Sequence, residues 1–135
     1  MIQVYSIPRN AVGLLWQDVE GFIKKGLERG IKTHEPADLL DMCLNGLANL
    51  WVAADEEKAY GAGVATLIQY PRCKGIHVIS VGGEKGKEWI DQLIKSVDEF
   101  GKHNGCKYIT STGRKGWMRR WGCKPTGYSL YREIA

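Results

Sequence analysis

Residues 76 to 100, IHVISVGGEKGKEWIDQLIKSVDEF, pass from a compact apolar run through two glycines into a helical repeat, the order of a strand, a tight turn and a helix. Ile76 to Val81 is dominated by β-branched residues and reads as a buried strand. Gly82 and Gly83 follow it directly and permit positive φ and close backbone approach. Trp89, Ile90, Leu93, Ile94, Val97 and Phe100 then trace one face of a helix, which Gly105 ends in a left-handed cap. Cys106 to Ser111 is the next short strand, so the segment forms a βαβ-like unit with a right-handed crossover.

The flanking sequence supplies the rest of an α/β domain. Ile2 to Ile7 reads as a first strand closed by Pro8, which lacks an N–H for ladder pairing. Leu15, Trp16, Val19, Phe22, Ile23 and Leu27 recur at helical spacing up to Gly30. Pro36 suits the first turn of a second helix whose apolar stripe is Leu39, Leu40, Cys43, Leu44 and Leu47. Leu50 to Ala54 and Gly61 to Tyr70 are β-competent arms of a hairpin turning through the charged Asp55 to Lys58. A short helix around Gly116 to Trp121 and a closing strand from Tyr128 to Ile134 complete the expected elements. At 135 residues, 44% hydrophobic and 25% charged, the chain is expected to be one domain.

Several classes are disfavoured. Cys43, Cys73, Cys106 and Cys123 include no CxxC pair, which argues against a zinc site and for reduced thiols. No apolar run reaches the roughly 18 residues needed to span a bilayer. The start MIQVYSIPRN lacks the charged-then-apolar order of a signal peptide, so a cytoplasmic location and no membrane partner are expected. The net charge of +4 is uneven: residues 102 to 135 carry 8 basic and 1 acidic side chain, against 11 and 14 before them. Such a field concentrates anions, whether a phosphorylated cofactor, a nucleic acid or an acidic protein surface.

The residues that carry chemistry are few. A glycine turn between a buried strand and a helix N-terminus exposes unpaired N–H groups in a positive dipole field, which suits an anion. Lys85 and Lys87 strengthen that field; Glu84 and Glu88 oppose it. His77 lies within the strand and has the intrinsic pKa of a general base, while His34 and His103 read as solvated histidines at helix edges. Arg114, Lys115, Arg119, Arg120 and Lys124 interleave with Trp117 and Trp121, a pattern that serves either core tryptophans with outer arginines or a binding surface. No Ser/His/Asp arrangement stands at recognisable spacing.

The order of elements, with VISVGGEKGKEWIDQLI and GRKGWMRRWGCKPTGYSLYREI, resembles the GNAT superfamily of acyl-CoA N-acyltransferases, and the second string is similar to small phage-encoded members of that fold. The resemblance implies an α/β (α+β) fold: a mixed, largely antiparallel central sheet with splayed central strands and helices on both faces. It implies acetyl-CoA or another acyl-CoA as co-substrate. Ile79, Ser80 and Val81 would orient the thioester, the loop Gly82, Gly83, Lys85, Gly86 and Lys87 would hold the diphosphate, and Ser111 would stand where the family often has an Asn. An amine acceptor would attack the thioester directly. Of the family's loop pattern Gly86 matches, whereas Gly83 and Glu88 depart from it; Met118 stands where many members place an acidic Tyr, for which Tyr128 is a substitute candidate. These departures support an alternative: a GNAT-like phage structural, internal virion or host-interaction protein without catalysis. Nucleic-acid binding is a third expectation.

Overall fold

A computed structural model of the chain describes residues 1–28, 32–112, 120–127 and 130–134. Its elements in order are β1 (Gln3–Ile7), α1 (Val12–Leu27), α2 (Pro36–Leu44), β2 (Ala48–Ala54), β3 (Ala59–Gln69), β4 (Lys74–Gly83), α3 (Ile90–His103) and β5 (Cys106–Ser111). The five strands lie side by side in sequence order. The pairs from β1 to β4 are antiparallel, and β4 runs parallel to β5 because α3 carries the chain back across the sheet.

Alternation along the strands divides the core into two layers. On β2, Leu50 and Val52 face α1 and α2, whereas Trp51 and Ala53 face α3. The first layer also takes Val12, Trp16, Val19 and Ile23 of α1 with Leu39 and Cys43 of α2. The second takes Trp89, Leu93 and Val97 with Ile76 and Val78 of β4, and Trp51 meets Phe100 edge-on with ring centroids 5.3 Å apart. Gln92 of α3 reaches the edge strand, accepting from Val4 N–H at 3.3 Å and donating to the Ile2 carbonyl at 3.2 Å. That contact partly covers an edge which would otherwise be open to another chain.

Three sequence expectations need correction. The second helix begins at Pro36 behind a Glu35/Asp38 capping box, but it stops at Leu44, and Leu44 and Leu47 are exposed. Gly46 takes φ +74°, and the N–H of Leu47 bonds the Met42 carbonyl at 2.8 Å, a left-handed closure that turns Leu47 away from the stripe. The strand proposed before the glycines is longer, so Gly82 and Gly83 belong to β4 and pair with Ala62 and Gly61. The described part of the closing segment, residues 130–134, holds no strand; Leu130 and Ile134 are about nine-tenths exposed, so they have no layer to pack against. Tyr128 and Met118 lie outside the described residues.

All four cysteines are free, and burial pushes the Cys43 thiol up to about 11. Among the described residues no helix is long and apolar enough to cross a membrane.

Candidate functional site

The site is built where β4 outruns β5. β5 pairs with β4 from Lys74 only as far as Val78, opposite Ser111. Ile79 to Gly83 therefore continue with no strand on that side among the described residues. A bulge falls at the same point: Val64 faces Ser80 but Ala65 faces Val78, leaving Ile79 as an extra residue in β4. The extra residue turns both Ile79 and Ser80 toward α1. Ile79 packs on the α1 layer, and the buried Ser80 hydroxyl donates to the Ile23 carbonyl at 3.0 Å.

Beyond the bulge, α1 lies directly on the strand. A Cβ at Gly82 would fall on the Phe22 carbonyl oxygen and 3.0 Å from Gly26 N, and one at Gly26 would fall on the Ser80 hydroxyl and 2.9 Å from Val81 N. Gly83 has φ +153°, with its Cβ position filled by the Tyr60 carbonyl and Gly61. The close approach that these glycines allow is thus made by the protein itself.

The loop after β4 leaves several backbone amides open. Glu84 N–H bonds the Tyr60 carbonyl at 2.8 Å, Lys85 adopts a left-handed φ of 56°, and the N–H groups of Glu88 and Trp89 close a tight turn on the Lys85 and Gly86 carbonyls. The first backbone bond into α3 is Leu93 to Trp89 at 3.0 Å. Among the described residues the amides of Lys85, Gly86, Lys87, Ile90, Asp91 and Gln92 therefore have no internal acceptor, in the field of the α3 N-terminus. Gly86 has nothing within 4 Å of its Cβ position. The Trp89 indole donates to the Glu84 carbonyl at 2.8 Å and anchors the loop to the core.

Cations surround this loop. Lys25 of α1 donates to the Gly83 carbonyl at 3.4 Å, and the ammonium groups of Lys58 and Lys85 stand 4.9 and 5.2 Å from the Tyr60 ring centroid. Lys58 also neutralises Glu84 at 3.1 Å. The Glu88 side chain is exposed and, among the described residues, its carboxylate makes no hydrogen bond or ion pair, so it does not engage the loop amides. The Tyr60 hydroxyl donates to Asp55 at 2.7 Å; this bond, with the amides of Lys58 and Glu57, holds Asp55 down at about 2 and pushes Tyr60 up to about 12. At the start of α3, Asp91 receives a two-pronged bond from Arg120 at 2.7 and 3.0 Å and a third from the Trp121 indole at 3.3 Å. Trp121 also walls an apolar void of about 20 Å³ beneath α3, beside Val78, Val81, Ile90 and Leu93. That space is about the size of one water molecule, and its lining is apolar.

His77 lies on the α1 face of β4, just before the bulge. Its Nδ1 is 2.8 Å from the Thr110 hydroxyl of β5, and burial, followed by the charge of His34, holds its pKa below the usual imidazole range. His34 is half-buried rather than a solvated surface group, and its charge acts on His77 of β4. His103 is exposed, as is Ser111 at the end of β5. Of the expected site residues, the structure gathers Ile79 to Gly83 and Lys85 to Lys87 along one strand end and loop. Lys25 and Thr110 were missed by sequence reasoning; their only signals are an ordinary helix lysine and a strand threonine. Among the described residues no three His, Cys, Asp or Glu side chains group to hold a metal.

No protein-family model matches the chain, and no curated protein matches its sequence. Solved structures do match. A predicted acetyltransferase with acetyl-CoA from Clostridium acetobutylicum superposes with a TM-score of 0.71 at 14% identity, over 98% of this chain and 96% of that one. A ribosomal-protein-alanine N-acetyltransferase from Brucella melitensis biovar Abortus gives 0.71 at 8% identity over 100% of both chains. The chain has the GNAT fold. An aminoglycoside acetyltransferase from an uncultured soil metagenomic sample, in complex with sisomicin, matches at 0.69 and 10% identity over 99% of this chain and 97% of that one. A mixed sheet, open where β4 passes β5 and covered by helices on both faces, is common ground between this GNAT fold and the sequence-based expectation.

Proposed function

We propose that the chain is an acyl-CoA-dependent N-acyltransferase that uses acetyl-CoA as donor and an amine as acceptor. The observation that carries this reading is the coincidence, among the described residues, of a strand end with no partner on its β5 side, Ile79 to Gly83, and a following loop with amides that have no internal acceptor. Backbone groups in those two states suit different parts of one extended ligand. The strand end offers hydrogen bonds to an amide-bearing arm, as an added strand would. The loop and the α3 N-terminus offer N–H groups and positive potential to a diphosphate.

In the transfer, the amine nitrogen attacks the thioester carbonyl carbon, a C–N bond forms, the C–S bond breaks and CoA leaves as thiolate. The residues here act chiefly by holding and orienting. The Ile79 to Val81 backbone orients the thioester, and the amides of Lys85, Gly86 and Lys87 hold the diphosphate, with Lys25 and the Lys85 side chain adding charge. Ser111 borders the opening at the end of β5. Gly82 and Gly83 serve by letting α1 and β3 approach closely enough to fix the strand end. Orientation of two bound reactants supplies a large share of the rate enhancement in such reactions.

A thermal-shift titration tests the reading. Acetyl-CoA at about 100 times its Kd stabilises a binding protein by about 2.7 kcal/mol. A rise in Tm with acetyl-CoA and CoA, but not with S-acetylpantetheine at equal concentration, is expected. An unchanged Tm, with loop amide resonances unmoved at saturating acetyl-CoA, rejects it.

A further inference from the structure

Within that reading, we propose that His77 is the general base for the acceptor amine and that Thr110 is its positioning residue, presenting Nε2 to the opening between β4 and β5. The imidazole sits on β4 immediately before the bulge, two positions ahead of Ile79, where the strand loses its β5 neighbour. In register it lies between Thr66 on β3 and Thr110 on β5. Thr66 gives its hydroxyl to the Leu47 carbonyl at 2.6 Å, so among the described residues it is Thr110 that engages the ring, at Nδ1.

Nε2 has no partner among the described residues, and no side-chain nitrogen or oxygen is both buried and unpartnered. Nε2 is therefore not sealed from solvent. When Nδ1 donates its proton to the Thr110 oxygen, Nε2 is left bare with a lone pair directed outward, the state that a proton acceptor requires. The α1 layer sets the charge: its nearby strand face presents Ile79 and the Ser80 hydroxyl, which is bound to Ile23, and among the described residues the ionisable group acting on the ring is His34. Burial and that like charge both keep the imidazole neutral at pH 7. In the step, Nε2 takes a proton from the amine nitrogen as the C–N bond forms, and the departing thiolate takes its proton from solvent. His77 then returns its proton to water.

The test combines three readouts on the full chain and on His77→Gln and Thr110→Val. Two-bond proton–nitrogen correlation reads the tautomer: Nδ1–H with bare Nε2 is expected, and Thr110→Val is expected to lose that preference. CoA release from acetyl-CoA is followed with n-butylamine, spermidine and an N-terminal alanine peptide as probes. His77→Gln is expected to lower kcat by about 100-fold while leaving the acetyl-CoA-induced Tm shift intact. The native rate is expected to fall as pH drops below the ordinary imidazole range, a limb absent from His77→Gln.

Nε2–H in the native protein overturns the assignment, as does His77→Gln turning over at the native rate. So does a native chain that binds acetyl-CoA but releases no CoA above background with any probe. A native chain showing no acetyl-CoA-induced Tm shift rejects the transferase reading itself, a result distinct from each of these.

Discussion

Replacing Gly82 by alanine tests how tightly α1 is seated on the strand end. The new methyl would occupy the position of the Phe22 carbonyl oxygen and lie 3.0 Å from Gly26 N, both backbone atoms of α1. Carbon–oxygen contacts of this kind settle at about 3.3–3.6 Å, so helix and strand must separate by about 1 Å. Overpacking a core costs about 1–3 kcal/mol, and the upper end applies because no flexible side chain is available to yield. Restricting the unfolded chain returns roughly 0.4–1 kcal/mol, which leaves a net loss of about 2 kcal/mol. For a domain of this size that corresponds to a Tm lower by about 6–8 °C. Gly86→Ala is the matched control: its Cβ meets nothing, so its Tm is expected to equal or exceed the native value while the acetyl-CoA-induced shift shrinks. A Gly82→Ala protein melting within about 1 °C of native by calorimetry refutes the close packing of α1 on the strand end.

Ser80→Ala removes the buried bond to the Ile23 carbonyl and is expected to cost about 1 kcal/mol in urea denaturation. Combined with Gly82→Ala, it is expected to be non-additive, since both changes act on the same contact with α1. Asp55 is held at about 2 by the Tyr60 hydroxyl and neighbouring amides, so its stabilising effect is present above the ordinary carboxylate range and is lost as pH falls through about 2. Melting curves from pH 5 to pH 2 are expected to show that loss in the native chain and a flatter profile in Asp55→Asn. A thiol reagent at pH 8 is expected to label Cys73, Cys106 and Cys123 readily and Cys43 only at the rate of unfolding, because Cys43 is buried with its thiol raised to about 11; fast labelling of all four contradicts this.

Much of the fold was legible because it is written in local periods. The spacing of Trp16, Val19 and Ile23, the Leu93 to Val97 face and the Asp55 turn each follow from residues near in sequence. Gly105 takes a positive φ, the cap expected of it. What was not legible depends on pairing across the sheet. The extra residue Ile79 is defined only by the register of β3 against β4, and a run such as HVISV carries no mark of which member is displaced. Gly82 and Gly83 were read as room for a ligand, but room for a helix backbone makes the same demand on the sequence. His34 sits in a polar stretch, and its influence on His77 is an interaction between residues far apart in sequence that no local period records. The stripe through Leu44 and Leu47 kept its period past the true end of α2, since the left-handed turn at Gly46 is a backbone event that hydrophobic spacing does not record.

The contact between Gly26 and the Ser80 to Gly82 backbone has a consequence for any redesign of this molecule. Two polypeptide backbones in direct touch form a joint without slack, so a tilt of the first helix is handed undamped to the strand beneath it. Substitutions that reshape one wall of the opening will re-aim the other, and selection for a new acceptor will be felt at the donor side as well.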